Sequence, residues 1–575
     1  MSSVPASRIG LGWCVSLGLL VLGVAGCSTS HYRKAADKDA ARLIAEKSRG
    51  VPNMDPRFTI VPTNTLAIEG LPLKTESEDF LGAEQKTEIS ARVLNLDQAL
   101  LTAVERSREY QNRKELLYLD ALGLALDRHR YTPIFSGRGS GTVQNQPQDV
   151  QKAVDQLAGT QTSLLNRDTE VVQQYNVSGR GSVGSSILLR SGATLANSFS
   201  IDFLRFLNGD PRFLVRSTLG ATLTQPLLRG AGYKATMENL TQSERDLLYS
   251  LREFTLYRKD FAVRIAQSYY GVLQARDAAK NEWIGYQSFQ VNLKRGRALT
   301  EEGRSTKADF GLLEQASLQA EASWITAVRQ YKQSLDQFKI LLGLSPDSKI
   351  VLDDRDLADL KIQHPDLESS DAANVAIATR LDIQTARDRA VDAQRKIKVS
   401  ANALKPRVDL VVQGSVDNKP NSNNPAAMDV KRAQGSAGLD FDLGLDRMAE
   451  RNAYRSAEIA ALRANRELQL LEDQVKTQVF GDWRSLDEAK RTHRNSALGV
   501  NLAERGVEEQ ELRAELGRST TRDLVDAQTA LVRSRNGRTQ ALVSHTIARL
   551  QFWKDMGILY IKENGKWEDA NEFKH

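Results

Sequence analysis

The stretch Gly303-Arg304-Ser305-Thr306, followed by Asp309, recurs in the sequence as Gly517-Arg518-Ser519-Thr520, followed by Asp523. The two copies lie 214 residues apart, and three further pairs of residues share that offset. These pairs are Gly343 and Gly557, Phe338 and Phe552, and Gly230 and Gly444. A short string recurs easily by chance, but one offset at four places indicates an internal duplication. The chain is therefore predicted to contain two copies of one structural unit, aligned without gaps from about residue 220.

Long helices are the main element predicted for each unit. The fourteen prolines leave the stretches 73–132, 227–345, 366–405 and 426–575 uninterrupted, and proline breaks a helix interior. Apolar residues recur there at helical spacing, as Phe261, Ile265 and Tyr269 do. The predicted helices are 96–131, 232–299, 305–342, 374–403, 446–515 and 519–556. In each unit two shorter helices together match the long one in length, which suits a cylinder wall built by coiled-coil packing.

A β-hairpin is predicted between the helices of each unit, at about 134–226 in the first and 406–445 in the second. Apolar and polar residues alternate along these strands, as Phe199, Ile201 and Phe203 do with Ser200 and Asp202. This pattern fits barrel strands with lipid outside and water inside, and equally strands of a soluble sandwich. Four strands cannot close a barrel, so the membrane interpretation requires several copies of the chain. The inserted segment 145–172 is interpreted as a surface loop or a plug.

The first residues are predicted to be a secretion signal. An apolar run, Ile9–Gly26, ends in Val24-Ala25-Gly26-Cys27, which resembles the bacterial lipoprotein signal and implies cleavage before Cys27 and lipidation of its thiol. An uncleaved signal anchor is the alternative. Ser28 is not the Asp that resembles inner-membrane retention, which favours the outer membrane. Residues 1–26 are therefore predicted to be the signal peptide and 27–95 a lipid-anchored linker, of which residues 28–90 are expected to be largely irregular.

The composition gives little support to nucleic-acid binding, metal binding or catalysis. The 78 basic and 72 acidic residues are interspersed, whereas a nucleic-acid surface needs a basic cluster. Six histidines are scattered singly, and the two cysteines are Cys14 and Cys27, so no zinc, iron–sulfur or disulfide framework is evident. No nucleophile–base constellation or phosphate-binding loop occurs. The protein is predicted not to be an enzyme and to have no metal site and no cofactor, apart from the covalent lipid on Cys27.

Over residues 95–557 the chain resembles a TolC-type outer-membrane efflux protein of the lipoprotein-anchored kind. The resemblance depends on four motifs in this order: Leu96-Asp97-Gln98-Ala99-Leu100, Gln225-Pro226-Leu227-Leu228-Arg229-Gly230, the two Gly-Arg-Ser-Thr turns and Leu341-Leu342-Gly343. It implies a mainly α fold with transmembrane β: two tandem helix–β-hairpin–helix–helix repeats, and a trimeric 12-stranded β-barrel continued by a 12-helix α-barrel. The predicted boundaries are 96–345 for the first repeat, 346–373 for the connection, 374–557 for the second repeat and 558–575 for the tail.

The resemblance also implies where function lies. The two Gly-Arg-Ser-Thr turns would lie at the periplasmic tips, and six of their residues are predicted to dock an adaptor: Gly303, Arg304, Ser305, Gly517, Arg518 and Ser519. Ordinary helix-hairpin turns remain the alternative. Asp523 and Asp526 match family positions that form an acidic gate ring, whereas the first repeat has Asp309 and Leu312 there. An acid in a helix's first turn can instead complement the helix dipole.

The predicted function is therefore an exit duct in the bacterial outer membrane. As a homotrimer extending into the periplasm, it would passively conduct substrates delivered by an inner-membrane pump and a periplasmic adaptor, in a tripartite efflux or type I secretion system. A lipid-anchored structural or adhesive coiled-coil envelope protein without a pore is the alternative. The polar residues Asp440, Asp442 and Asp446 are interpreted as a solvated face of the second hairpin.

Overall fold

The computed structural model describes residues 28–55, 58–60, 69–151, 169–207, 213–420, 422, 424–516 and 518–568. The predicted signal peptide 1–26, Cys27 and Gly517 lie outside the described residues. The described residues form two compact units. One takes its residues from Met1–Leu122, Asp246–Arg389 and Ala464–His575, and the other from Gly123–Arg245 and Ala390–Arg463.

Helices make up most of the described chain. In order they are α1 (Thr29–Ser48), α2 (Leu96–Arg106), α3 (Arg108–His129), α4 (Tyr233–Thr236), α5 (Glu238–Glu301), α6 (Lys307–Leu341), α7 (Arg355–Ala358), α8 (Ser369–Thr379), α9 (Leu381–Ala403), α10 (Met448–Glu515) and α11 (Thr521–Asp555). No helix among the described residues has the length and apolar character to cross a membrane.

The strands are mostly concentrated in one sheet. In order they are β1 (Arg92–Leu94), β2 (Ile134–Gln151), β3 (Thr169–Leu188), β4 (Thr194–Phe206), β5 (Phe213–Pro226), β6 (Ile350–Leu352), β7 (Arg407–Asp417), β8 (Gln434–Asp442), β9 (Tyr560–Ile561) and β10 (Trp567–Glu568). β1 pairs in parallel with β6, and β9 pairs antiparallel with β10.

The two long helices lie where the apolar spacing predicts them. α5 has 64 residues and α10 has 68. The side chains that step along α5 at helical spacing, Phe261, Ile265 and Tyr269, are all buried, as are Val475 and Val479 on α10. The aromatic and aliphatic stripe is thus a packing seam, as its spacing predicts.

Two helices predicted to be continuous are broken instead. The predicted helix 96–131 is interrupted at Ser107 and the predicted helix 374–403 at Arg380, where the backbone is extended with ψ of 123° and 129°. Neither break has a proline or glycine to mark it in the sequence. Each is packed against the end of another helix, where Gly343 and Gly557 turn the chain with φ of 78° and 79°.

The prediction that residues 28–90 form a largely irregular linker is wrong for α1. The segment's four prolines all follow this helix, so they do not oppose it. Leu43 and Ile44 of α1 are buried, as are Phe80 and Leu81 further along. The N-terminal segment is therefore an integral part of the helical unit.

The sheet unit differs from the prediction in its number of strands. The sequence pattern predicts one hairpin in 134–226, but the structure has four strands there, and a six-stranded antiparallel sheet in the order β2-β3-β4-β5-β7-β8. The predicted strands correspond to β4, β5, β7 and β8. The described residues of segment 145–172 belong to β2 and β3, where Gln151 pairs with Thr169. These described residues extend the two strands, and residues 152–168 of the predicted loop or plug lie outside the described residues.

Candidate functional site

The turn after α5 is a tight helix-to-helix connection. Gly303 has φ of 73°, a left-handed conformation that glycine adopts without steric cost. The Arg304 N–H donates to the Leu299 carbonyl at 2.8 Å, which satisfies a carbonyl left open at the helix end. Thr306 then caps α6, because its side chain accepts from the Asp309 N–H. The exposed Arg304 leans toward Glu302 at 3.7 Å.

The turn before α11 repeats this geometry at the equivalent residues. The Arg518 N–H donates to the Arg513 carbonyl at 2.8 Å, and the Thr520 side chain accepts from the Asp523 N–H. Ser519 differs by donating its hydroxyl to Gln510 Oε1 at 2.8 Å. Apart from Ser519, the two turns therefore share their backbone and capping hydrogen bonds. Arg304 and Arg518 are both exposed.

Asp523 is engaged in closing its own helix start. Its carboxylate accepts from the Thr520 hydroxyl at 2.6 Å and from the Thr520 N–H at 3.1 Å. These hydrogen bonds hold the pKa of the carboxyl below its ordinary value. Asp309 accepts from the Thr306 hydroxyl in the same way, also at 2.6 Å. The helix-start alternative therefore accounts for Asp523 as it does for Asp309.

Asp526 has a different environment. It is exposed one turn further along α11, and the described residues provide it with no hydrogen bond or ion pair. Its equivalent in the first repeat is the half-buried Leu312. The carboxylate of Asp526 is thus the acidic group in this turn of α11 that the fold itself does not use.

The six-stranded sheet has one apolar and one polar face along its whole width. Register places Phe203 opposite Val215 and Leu195 opposite Leu223, and Val412 of β7 lies opposite Leu223. Successive residues point to opposite faces, so the polar residues between these positions share the other face. The alternation predicted for the strands of both hairpins is therefore present in the sheet.

β2 and β3 continue this pattern with glycines on the apolar face. Gly137, Gly139 and Gly141 alternate with polar residues such as Ser136 and Arg138. Large apolar side chains such as Phe135 and Val143 stand on this face only beside the glycines, so the apolar alternation that marks the other strands is weak here. The alternation of glycine with polar residues is the signal that could have identified them.

Ion pairs lie on the polar face of the sheet. Arg180 of β3 contacts Asp202 of β4 at 2.6 Å, and Arg216 contacts Asp417 at 3.3 Å across β5 and β7. The predicted polar residues of the second hairpin fit this face as well: Asp440 pairs in register with Asp409, and Asp442 with Arg407. Asp446 lies beyond the strand, where it accepts from the Met448 N–H at 3.1 Å.

The comparisons with known proteins give a result for structure alone. No family model matches the sequence, and no curated protein matches it either. Solved structures do match. The outer-membrane channel OprN is 12% identical, with a TM-score of 0.55 over 86% of this chain and 97% of that one. The CmeC outer membrane channel of Campylobacter jejuni is also 12% identical, with a TM-score of 0.57 over 87% and 91%.

The outer membrane protein VceC of Vibrio cholerae is 13% identical, with a TM-score of 0.56 over 80% of this chain and 96% of that one. The chain has the TolC-type fold. The resemblance carried by the sequence motifs is therefore confirmed for the fold, and the mainly helical chain with its sheet agrees with the helix and strand content expected of a TolC-type protein. The extra hairpin β2–β3 is a departure from the four strands that the resemblance implies.

Proposed function

We propose that this protein is an outer-membrane channel that serves as the exit duct of a tripartite efflux or type I secretion system. The observation that carries the proposal is a sheet with one apolar and one polar face, in a chain with the TolC-type fold over 86% of its length. The channel passively conducts substrates that an inner-membrane pump and a periplasmic adaptor deliver, and releases them to the exterior. The chain makes and breaks no bonds, and needs no cofactor or metal.

Several copies are required because of the sheet edges. Each unpaired N–H or C=O in hydrocarbon costs several kcal/mol, so an open six-stranded sheet is not stable there. The shortest of its strands, β8, has nine residues, which is enough to span the bilayer when tilted. A homotrimer in the outer membrane removes the edges.

Conductance of the purified protein in planar bilayers tests this proposal. We expect a trimer on native gels and stepwise conductance, with neither observed for heat-dissociated protein. A soluble, extended, non-conducting form after enzymatic removal of the lipid would instead support the lipid-anchored scaffold without a pore.

The anchor is a lipid on Cys27, after removal of residues 1–26. Metabolic labelling with palmitate tests this step. Label should enter the wild type and the variant Cys14→Ser, because Cys14 leaves with the signal, but not Cys27→Ser. Label retained in Cys27→Ser would refute lipidation at this residue.

The gate at the periplasmic entrance is acidic, and Asp526 contributes more to it than Asp523. The Asp523 carboxylate is already engaged by Thr520, whereas Asp526 is exposed and its carboxylate is uncommitted. Three copies of both residues make a ring of six carboxylates, which favours cations.

Blockade of conductance by a trivalent cation added on the periplasmic side tests the ring. We expect Asp526→Asn to weaken blockade strongly, Asp523→Asn to weaken it less and Asp309→Asn to leave it unchanged. Asp309 is the matched control, because it caps its helix as Asp523 does. Blockade as strong as in the wild type in all three variants would refute the acidic ring.

The helix tips dock the adaptor through Gly303, Arg304, Ser305, Gly517, Arg518 and Ser519. Arg304 and Arg518 are exposed at equivalent turns, so both repeats offer the same charge. Arg304→Gln with Arg518→Gln should reduce cross-linking to the adaptor in cells, whereas the exposed control Arg329→Gln should not. Equal cross-linking in all variants would exclude docking by these arginines.

A further inference from the structure

The sheet ends in two strands that each have one neighbour. Among the described residues β2 pairs with β3 alone and β8 pairs with β7 alone. The described residues of both strands are exposed, whereas the strands between them are partly buried. The outer edges of β2 and β8 therefore carry backbone groups that are open to pairing with another chain.

The two edges are matched in direction. Every neighbouring pair in the sheet is antiparallel, so the first and last of the six strands run in opposite directions. The β8 edge of one copy can therefore pair antiparallel with the β2 edge of the next. Such a head-to-tail contact gives a ring of identical copies when the rotation between neighbours closes. A second copy of this chain is thus a partner that fits both edges.

The β2–β3 hairpin is built as part of the wall. Its partner strand β4 pairs with β3 over thirteen residues, from Asn176↔Phe206 to Leu188↔Thr194. Arg180 contacts Asp202 across this junction on the polar face. On the apolar face Phe203 lies opposite Gly179, where a Cβ would meet the ring at 3.5 Å, an ordinary van der Waals contact. The junction therefore resembles the interior of the sheet and not a hairpin resting on its surface.

We propose that all six strands enter the shared barrel, with β8 of each copy paired to β2 of the next, so that three copies enclose an 18-stranded pore. The copy number rests on the proposed function; the participation of β2 and β3 does not. At a strand spacing of about 4.8 Å and a tilt of about 40°, the backbone radius is about 18 Å, against about 12 Å for twelve strands. The exit would accept bulkier cargo than a 12-stranded barrel.

Disulfide trapping in the full-length protein tests the edge pairing. The described residues contain no cysteine, so introduced thiols report cleanly. Ser436→Cys on β8 is combined in turn with Ile134→Cys, Ser136→Cys, Arg138→Cys and Ser140→Cys, which share its polar face on β2 and cover the registers of pairing. The matched controls combine Ser436→Cys with Ala196→Cys, Ser198→Cys or Ser200→Cys on β4, the edge strand of a barrel that omits the hairpin.

We expect covalent trimers from at least one β2 combination and none from β4. Cross-links from β4 would overturn the proposal and leave the channel intact, and a ladder that stops at dimers would overturn the count of eighteen. A cryo-electron microscopy map of the trimer in nanodiscs counts the strands directly, and twelve would be decisive against it. A monomer with no conductance and no cross-links would instead refute the proposed function.

Discussion

The long helices of the two repeats, α5 and α10, are equivalent in sequence but differ in what covers them. Arg276 of α5 is 1% exposed, whereas Lys490, its equivalent 214 residues later, is exposed on α10. Tyr331 and His545 are another equivalent pair, and each is 1% exposed. The two repeats therefore share a skeleton while the groups around it diverge.

The N-terminal segment contributes to this difference. Arg276 contacts Glu88 at 2.6 Å and Glu78 at 3.0 Å, and Tyr331 also donates to Glu88, at 2.7 Å. Burial alone would raise the pKa of Glu88, but the Arg276 guanidinium and the Lys74 ammonium hold it below its ordinary value. The segment thus gives the first repeat a buried ion cluster, centred on Arg276, that the Lys490 position in the second repeat does not have.

What the repeats keep is the closure of the helix ends. A Cβ on Gly343 would lie 2.0 Å from the Arg106 carbonyl oxygen, and one on Gly557 would lie 2.8 Å from Thr379 Oγ1. Both glycines therefore fix the approach of one helix end to a break between two others. The two repeats therefore differ in added strands and in the segment packed on the helices, but they keep these glycine contacts.

The largest expected effect is from Gly343→Ala. The new methyl would collide with backbone atoms at a left-handed φ. We therefore expect the free energy of unfolding to fall by more than about 5 kcal/mol, or the protein to fail to fold. Gly557→Ala should cost less, because the nearest atom belongs to a side chain. Gly303→Ala, with φ of 73° and open space around it, should cost about 1–2 kcal/mol. Urea unfolding of the detergent-solubilised protein measures the order, and equal midpoints for the three variants would contradict it.

Arg276→Ala tests the asymmetry of the cover. Removing the guanidinium leaves Glu88 buried without its main partner. We therefore expect the free energy of unfolding to fall by about 3–5 kcal/mol. The matched variant Lys490→Ala removes an exposed charge and should change stability by less than about 0.5 kcal/mol. Similar losses for both variants in urea unfolding would show that the two helices are covered alike.

The sequence predicts the skeleton well because its signals are local. The 214-residue offset, the seam through Phe261 and Val475 and the two Gly-Arg-Ser-Thr turns all depend on residues near one another in the chain. The breaks at Ser107 and Arg380 could not be predicted, since they are imposed by other helix ends. β2 and β3 were not predicted because glycine takes the place of several apolar side chains on one of their faces.

At the candidate site, the sequence predicts where the acids lie but not what they do. Asp523 and Asp526 appear alike in the sequence, three residues apart in one helix. Only the structure shows that the first carboxylate is engaged by Thr520. Side-chain hydrogen bonds of this kind depend on rotamers that a sequence pattern does not specify.

The next effect concerns pH and the pair Tyr331 and His545. Neither ring nitrogen of His545 has a hydrogen-bond partner among the described residues. Burial, together with the charge of Arg549, lowers the pKa of His545 to about 4. Because the unfolded chain takes up this proton first, stability should fall as pH drops from about 6.5 to 4, by about 3 kcal/mol in all.

His545→Leu should flatten this part of the pH profile of thermal unfolding. Tyr331→Phe, at the equivalent position, should lower stability but leave the part of the slope due to His545 in place, because it removes a hydrogen bond to Glu88 that helps to lower the pKa of that carboxyl. A slope that persists in His545→Leu would assign the pH dependence to another group.

The smallest expected effect concerns the capping threonines of the two tips. Thr306→Ala and Thr520→Ala each remove the side chain that accepts from the third residue of the helix, which typically costs about 1 kcal/mol. Hydrogen exchange in the first turns of α6 and α11 should quicken by a similar factor in both, since the hydrogen bonds are equivalent. Thr520→Ala also removes the hydroxyl that donates to the Asp523 carboxylate and leaves it only the backbone N–H, so it should strengthen cation blockade of conductance, whereas Thr306→Ala should not. If the two variants were blocked equally but differed in hydrogen exchange, the two tips would differ in stability and not in charge. The asymmetry of the repeats would then lie in the turns themselves.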